Sequence, residues 1–187
     1  MRSIKLILAA SLMAFVLAGC GDSAIPTAQQ DQGSELSGLS EATYVNNQSN
    51  NRNFRTSLKG ENEVPAVETS AQGQAIFQLS RDGSELSYKL IVANIENLVA
   101  AHIHLAPAGV NGPVVVWLYP FDGPPAQLIP GRFSGVLAEG VITGDDIVGE
   151  TDVETLDDLI EQIRAGNTYV NVHTSQHPGG EVRGQIF

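Results

Sequence analysis

From about residue 52 onward the chain breaks into short runs rich in Val, Ile, Leu, Phe, Tyr and Thr, each bounded by Gly, Pro, Asn or Asp. Runs of this length and spacing predict strands, since β-branched and aromatic side chains suit a pleated surface and the bounding residues suit turns. The predicted strands span 53–59, 74–79, 85–93, 100–105, 114–119, 132–138, 168–174 and 181–187. Asp82-Gly83 lies between two of them as a tight-hairpin signal, because glycine supplies the positive φ the turn requires. Asn111-Gly112-Pro113 precedes Val114-Val115-Val116-Trp117-Leu118, whose unbroken hydrophobicity predicts burial on both faces. Gly112 and Gly179 are expected to be structural turn glycines. Roughly 135 residues suffice for one substantial core, so a single all-β domain is expected. The expected architecture is a mainly antiparallel, Greek-key-like sandwich or barrel with one accessory helix. Its core candidates are Phe77, Leu79, Leu90, Val115, Trp117, Tyr119 and Ile186.

The helix is read from Leu156, Leu159, Ile160 and Ile163 at helical spacing, with a capping-box signature at Thr151 and Glu154 and a stop at Gly166. Asp152, Glu154, Asp157 and Asp158 fall toward its N-terminal end, where carboxylates favour the helix dipole. These acids need no catalytic or calcium-binding role to be explained.

The first fifty residues read differently. Arg2 and Lys5 precede an apolar stretch from Ile4 to Leu17, which has signal-peptide rather than membrane-spanning length. Leu17-Ala18-Gly19-Cys20 matches a bacterial lipobox, and Cys20 is the only cysteine in the chain. The pattern predicts a lipoprotein signal peptide over 1–19 and a lipid-bearing thioether at Cys20. It places the protein at the bacterial cell envelope, anchored to the membrane through that lipid. Gly21 follows Cys20 where some inner-membrane lipoproteins carry aspartate, so the outer membrane is preferred. With no second cysteine a disulfide is excluded, and stability must come from packing. Residues 20–51 are dominated by Ser, Gln, Asn, Gly and Asp without a sustained period, and read as a flexible tether.

Charge excludes some partners. Removal of Arg2 and Lys5 with the signal leaves eight basic against twenty-one acidic residues, a net −13, which repels nucleic acid. Gly179-Gly180 and Gly109-Val110-Asn111-Gly112 do not open a helix after a strand, so no phosphate loop or nucleotide cofactor is implied. Ser175 near His173 and His177 lacks the orienting carboxylate and oxyanion site of a nucleophile relay. Glu181 and Arg183, two apart in a strand, read as a surface pair or cross-strand ladder.

The four histidines fall in two segments, Ala100-Ala101-His102-Ile103-His104-Leu105 and Tyr169-Val170-Asn171-Val172-His173-Thr174-Ser175-Gln176-His177. On a strand, His102 and His104 project from one face, and a distant strand can bring His173 or His177 beside them. Two readings stand. The rings hold the Ala106–Gly112 and Pro178-Gly179-Gly180 turns by hydrogen bonds to carbonyls, or His102, His104, His173 and His177 hold copper or zinc, for which neutral imidazole is a common ligand.

The segments AAHIHLAPAGVNGPVVVWLY at 100–119, GNTYVNVHTSQHPGGEVRGQIF at 166–187, and FRTSLKGENEVPAVETSAQGQAIFQLSRDGSELSYKLIVANIENL at 54–98 resemble the CHRD (chordin-type) domain. The resemblance implies an extracytoplasmic β module over 52–187 with no generally assigned reaction. The expected function is a non-enzymatic binding or structural module whose partner is a protein or small ligand. Its alternatives are a metal-dependent oxidoreductase of superoxide-dismutase-like architecture, since a His-x-His strand paired with a distant histidine occurs there, and a periplasmic copper or zinc carrier.

Overall fold

The computed structural model describes residues 51–187; the expected signal peptide over 1–19, Cys20 and nearly all of the expected tether over 20–51 lie outside the described residues. Seven strands, all paired antiparallel, run in chain order: β1 (Asn53–Lys59), β2 (Gln72–Leu79), β3 (Leu86–Leu105), β4 (Val114–Tyr119), β5 (Ile129–Ile142), β6 (Thr168–Thr174) and β7 (Val182–Gln185). Among the described residues there is one α-helix, α1 (Leu156–Arg164), just before β6. The strand order β2-β1-β7-β6-β3 closes on itself through the β2–β3 pairing, so five strands form a ring, and β4 and β5 lie against β3. The all-β, antiparallel expectation with one accessory helix is met in a barrel-like form. Among the described residues no helix is long and apolar enough to cross a membrane.

The ring closes because β3 does the work of two strands. Sequence patterning divides this region into strands at 85–93 and 100–105, whereas the backbone runs as one strand of 20 residues. Its first half pairs with β2 and β5, and its second half with β6 and β4. Between the halves Asn94 and Asn97 adopt φ of 57° and 52°, and the register with β5 slips on either side of Ile95 and Glu96. Asparagine is among the few side chains that enter the left-handed region at small cost, so these two residues bend the strand without ending it.

The core follows the period of the strands. Phe54 and Leu58, Ala75, Phe77 and Leu79, and Leu86, Leu90 and Val92 alternate with exposed or half-exposed neighbours on β1, β2 and the first half of β3. The apolar stripe of α1, Leu156, Leu159, Ile160 and Ile163, packs into the same cluster. The helix starts one turn later than the Thr151–Glu154 signature predicts. Thr155 is the N-cap and Asp158 closes the box, with Thr155 Oγ1 accepting from the Asp158 N–H at 3.2 Å. Either threonine offers the motif, but only Thr155 makes the reciprocal bonds, its backbone N–H donating to the Asp158 carboxylate at 2.9 Å, whereas Thr151 Oγ1 accepts from the Val153 N–H. Val115, Val116 and Leu118 are fully buried while Val114, Trp117 and Tyr119 are half-buried, so β4 is covered on both faces only in part.

The second half of β3, with β6 and β7, departs from simple alternation. Every residue of β6 is buried. Ile103, Val170, Val172 and Val182 turn to the apolar core; His102, His104, Tyr169, Asn171, His173 and Arg183 turn to the opposite face and are buried there too. Loops cover this polar face. Arg183 donates to the carbonyls of Val110 and Pro107 at 2.6 and 3.5 Å and to Asn111 Oδ1 at 3.0 Å, Asn111 Nδ2 donates to the Val64 carbonyl at 2.8 Å, and Asn62 Nδ2 to the Arg183 carbonyl at 3.0 Å.

Candidate metal centre

Register places the chemistry. His102 lies opposite Asn171 and His104 opposite Tyr169 across β3 and β6, while Asn171 lies opposite Arg183 and Tyr169 opposite Gln185 across β6 and β7. His173, two residues beyond Asn171, projects from the same face of β6. One nitrogen from each of His102, His104 and His173 falls in a group whose members are all within 4.8 Å of one another. His177 is not among them. Its backbone N–H donates to Thr174 Oγ1 at 3.1 Å and its carbonyl accepts from the Gly180 N–H at 3.0 Å, so it serves the turn, and the residue lines a separate hollow with Thr69, Glu96 and Arg132.

Hydrogen bonds fix the state of each ring. His104 Nδ1 lies 2.8 Å from the Gly112 carbonyl and His173 Nδ1 lies 2.9 Å from the Pro178 carbonyl. A carbonyl only accepts, so both Nδ1 atoms carry the proton and both Nε2 atoms carry a lone pair. His102 Nδ1 lies 3.0 Å from His173 Nε2, so it too donates, which leaves a lone pair on His102 Nε2. His102 Nε2 and His104 Nε2 are buried and meet no donor. The hydrogen bonds to the Gly112 and Pro178 carbonyls hold the two turns, and bonds of this kind to one ring nitrogen leave the other free to act as a ligand.

The surroundings keep the rings neutral. Burial, with His173 and His104 close by, pushes His102 down to about 3. Burial pushes His104 down to about 4 against the support of the Gly112 carbonyl, and lowers His173 as well. The rings are therefore neutral throughout the neutral range, the form in which an imidazole can ligate a metal. Trp117 meets His102 edge-on with ring centroids 4.2 Å apart, and His104 stacks on Tyr169 at 4.8 Å with the rings within 8° of parallel. The Arg183 guanidinium lies 3.4 Å from the centroid of the Tyr169 ring, a cation–π contact that helps hold a buried cation lacking a salt bridge.

Residues 54–186 match the family model of the CHRD domain. The chain belongs to the CHRD family. No curated protein and no solved structure matches it. In this CHRD domain Glu181 and Arg183 are not the exposed ladder that their spacing suggests. Both are buried, Glu181 accepting from the Thr69 and Thr174 hydroxyls at 2.7 and 2.8 Å and Arg183 bound by loop carbonyls. The difference arises because loops fold over this end of the sheet, which strand periodicity does not register.

Three residues of the CHRD site are absent from the sequence reading. Asn171 and Tyr169 share the period that selects His173 and were legible from it. Glu63 was not, for it sits in a loop after a short 3-10 turn (Gly60–Asn62) without periodicity. Its carboxyl is buried with Oε1 meeting no donor, and burial pushes it up to about 7 although Arg183 opposes the shift. The glycines also divide. A Cβ on Gly112 would collide with the carbonyl oxygen of Leu105, as expected of a structural glycine. Gly179 has open space around it and an ordinary φ, so its expected structural role passes to Gly180, which adopts φ +123° with Glu63 and Asn171 pressed against it.

Proposed function

We propose that this CHRD domain is a binding module that holds one transition-metal ion, copper or zinc, between His102, His104 and His173, displayed at the bacterial cell envelope from a lipid on Cys20. One observation carries the metal reading: two buried imidazole lone pairs face no donor beside a third ring whose orientation a carbonyl fixes. A buried polar group left unpaired costs about 1–3 kcal/mol, and a cation offsets that cost for several acceptors at once. Bonds of about 2 Å put ligand nitrogens roughly 3.3–3.5 Å apart; the candidate nitrogens of the three rings lie within 4.8 Å of one another, so an ion would draw them in by small ring movements and would replace the His102 Nδ1–His173 Nε2 hydrogen bond, freeing the His173 Nε2 lone pair. The rings are 7%, 8% and 9% exposed, which favours holding an ion over turning over a substrate at it. The lipobox at Leu17 to Cys20 and the net −13 of the mature chain support display at the envelope without nucleic acid as a partner.

Calorimetry and elemental analysis of untagged residues 51–187 test the metal reading. Near-stoichiometric binding of Cu(II) or Zn(II) at neutral pH is expected, with release on acidification. Cu(II) should also quench Trp117, the only tryptophan in the chain, through its contact with His102. Replacing His102 and His104 together by Gln should remove both signals while the β-sheet circular dichroism persists. Equal binding by the double variant sinks the metal reading. Independently, Cys20→Ser should move the full-length protein out of the detergent phase; a lipidated mass on that variant refutes the anchor.

A further inference from the structure

The polar face holds an oxygen atom with the same problem as the histidines. Asn171 is 2% exposed and its Oδ1 meets no donor. Register sets the residue directly across from His102. Its amide nitrogen points to the Gly179 carbonyl at 3.5 Å, which turns the oxygen away from the Pro178-Gly179-Gly180 turn. The side chain lies close enough to His104 to support that ring's proton affinity. In the neutral tautomers fixed by the Gly112 and Pro178 carbonyls, His102 Nε2, His104 Nε2 and Asn171 Oδ1 are all acceptors without a donor. Three lone-pair atoms grouped on one buried face with no proton among them are matched by a cation or by a water, and only a cation satisfies every one as an acceptor.

We propose that Asn171 Oδ1 is an oxygen ligand that completes the histidine site and makes it selective for a divalent ion. The inference rests on the metal reading above. A nitrogen-and-oxygen donor set without sulfur suits Zn(II) or Cu(II) and not Cu(I), which seeks thiolate or thioether. Both methionines of the chain, Met1 and Met13, lie in the signal sequence with the lone Cys20 just after it, so residues 51–187 contain no sulfur at all. The amide is held in place from the far side: Gly180 leaves room for Asn171 Nδ2 and the Glu63 carboxyl where a Cβ would strike both. Glu63 adds negative charge near a neutral ligand set when ionised, which further favours a doubly charged ion.

Co(II), Zn(II) and Cu(I) titrations of the wild-type domain, Asn171→Leu and Asn171→Asp test this. The wild type should bind Co(II) and Zn(II) and take up Cu(I) far more weakly. Asn171→Leu should weaken Zn(II) binding about 10–100-fold and alter the ligand-field spectrum of the Co(II)-loaded protein. Asn171→Asp, which keeps the shape and adds a charge, should bind Zn(II) more tightly and show a larger metal-dependent rise in Tm than the wild type. It keeps the test decisive if the leucine variant does not fold. Wild-type binding with unchanged Co(II) spectra and unchanged Zn(II) affinity in the variants overturns the Asn171 assignment and leaves the three histidines as the site. Preference for Cu(I) over Zn(II) overturns the divalent selectivity. A wild-type domain that binds none of the ions overturns both this inference and the metal reading.

Discussion

The two faces of the sheet formed by β6, β7 and the second half of β3 are buried to the same degree for opposite reasons. On the apolar face Ile103, Val170, Val172 and Val182 gain by leaving water, each contributing about 1.5–3 kcal/mol with no partner required. On the polar face His102, His104, Asn171, His173 and Arg183 lose hydration when covered, and each must recover it through a specific partner. Arg183 and the Nδ1 atoms of the histidines do so through loop carbonyls and one another. The Nε2 atoms of His102 and His104 and the Asn171 oxygen do not. An apolar face explains itself by area; a buried polar face is explained only when every acceptor is counted, and the remainder marks bonding capacity that the protein itself does not fill.

The sharpest contrast comes from the loop that covers the polar face. Gly112→Val should give the largest loss, with little folded protein recovered, because the new side chain meets the Leu105 backbone and lifts the loop that holds His104. Proteolysis and near-ultraviolet circular dichroism read this directly. Ile103→Ala on the apolar face should cost about 2–5 kcal/mol in urea unfolding while leaving metal affinity nearly unchanged. His104→Gln on the polar face should do the reverse: a loss of only about 1–2 kcal/mol without metal, and loss of the metal-dependent rise in Tm. If Ile103→Ala abolishes binding or His104→Gln costs as much as the core variant, the two faces are not energetically separate.

The polar face should also show itself in pH dependence. Unfolded imidazoles take a proton near pH 6.5 and the folded His102 and His104 only near 3 and 4, so the unfolded state binds more protons between these values. Metal-free stability should therefore be complete above about pH 6.5 and fall as the pH drops toward 3. Glu63 acts in the opposite sense. Raised to about 7, it holds its proton in the folded state, and its favourable contribution is lost as pH rises from about 4.5 through 7. Glu63→Gln should be more stable than the wild type at pH 8, by at most a few kcal/mol at about 1.4 kcal/mol per pKa unit, and should lose that advantage at pH 4.5. Denaturant unfolding at the two pH values checks the sign; an advantage that grows on acidification contradicts the buried-carboxyl reading. The smallest effect belongs to Gly179→Val, within about 0.5 kcal/mol, whereas Gly180→Val should be strongly destabilising because it meets positive φ, Glu63 and Asn171 together.

Strand periodicity alone determined that residues 52–187 form an antiparallel β domain with one amphipathic helix, because alternation and helical spacing are local consequences of backbone geometry. It also put His102 and His104 on one face, and the same rule would have added Asn171 to His173. Boundaries were less legible where two local signals compete, as at Thr151 and Thr155, or where a strand bends through Asn94 and Asn97 instead of stopping. Only the tertiary structure decided that β3 and β6 lie side by side with His102 3.0 Å from His173, that His177 turns elsewhere, and that Glu181 and Arg183 are covered. Those outcomes depend on ring closure and on loops folding across the sheet. Contacts of that kind join residues some seventy positions apart, and no period in the chain encodes them.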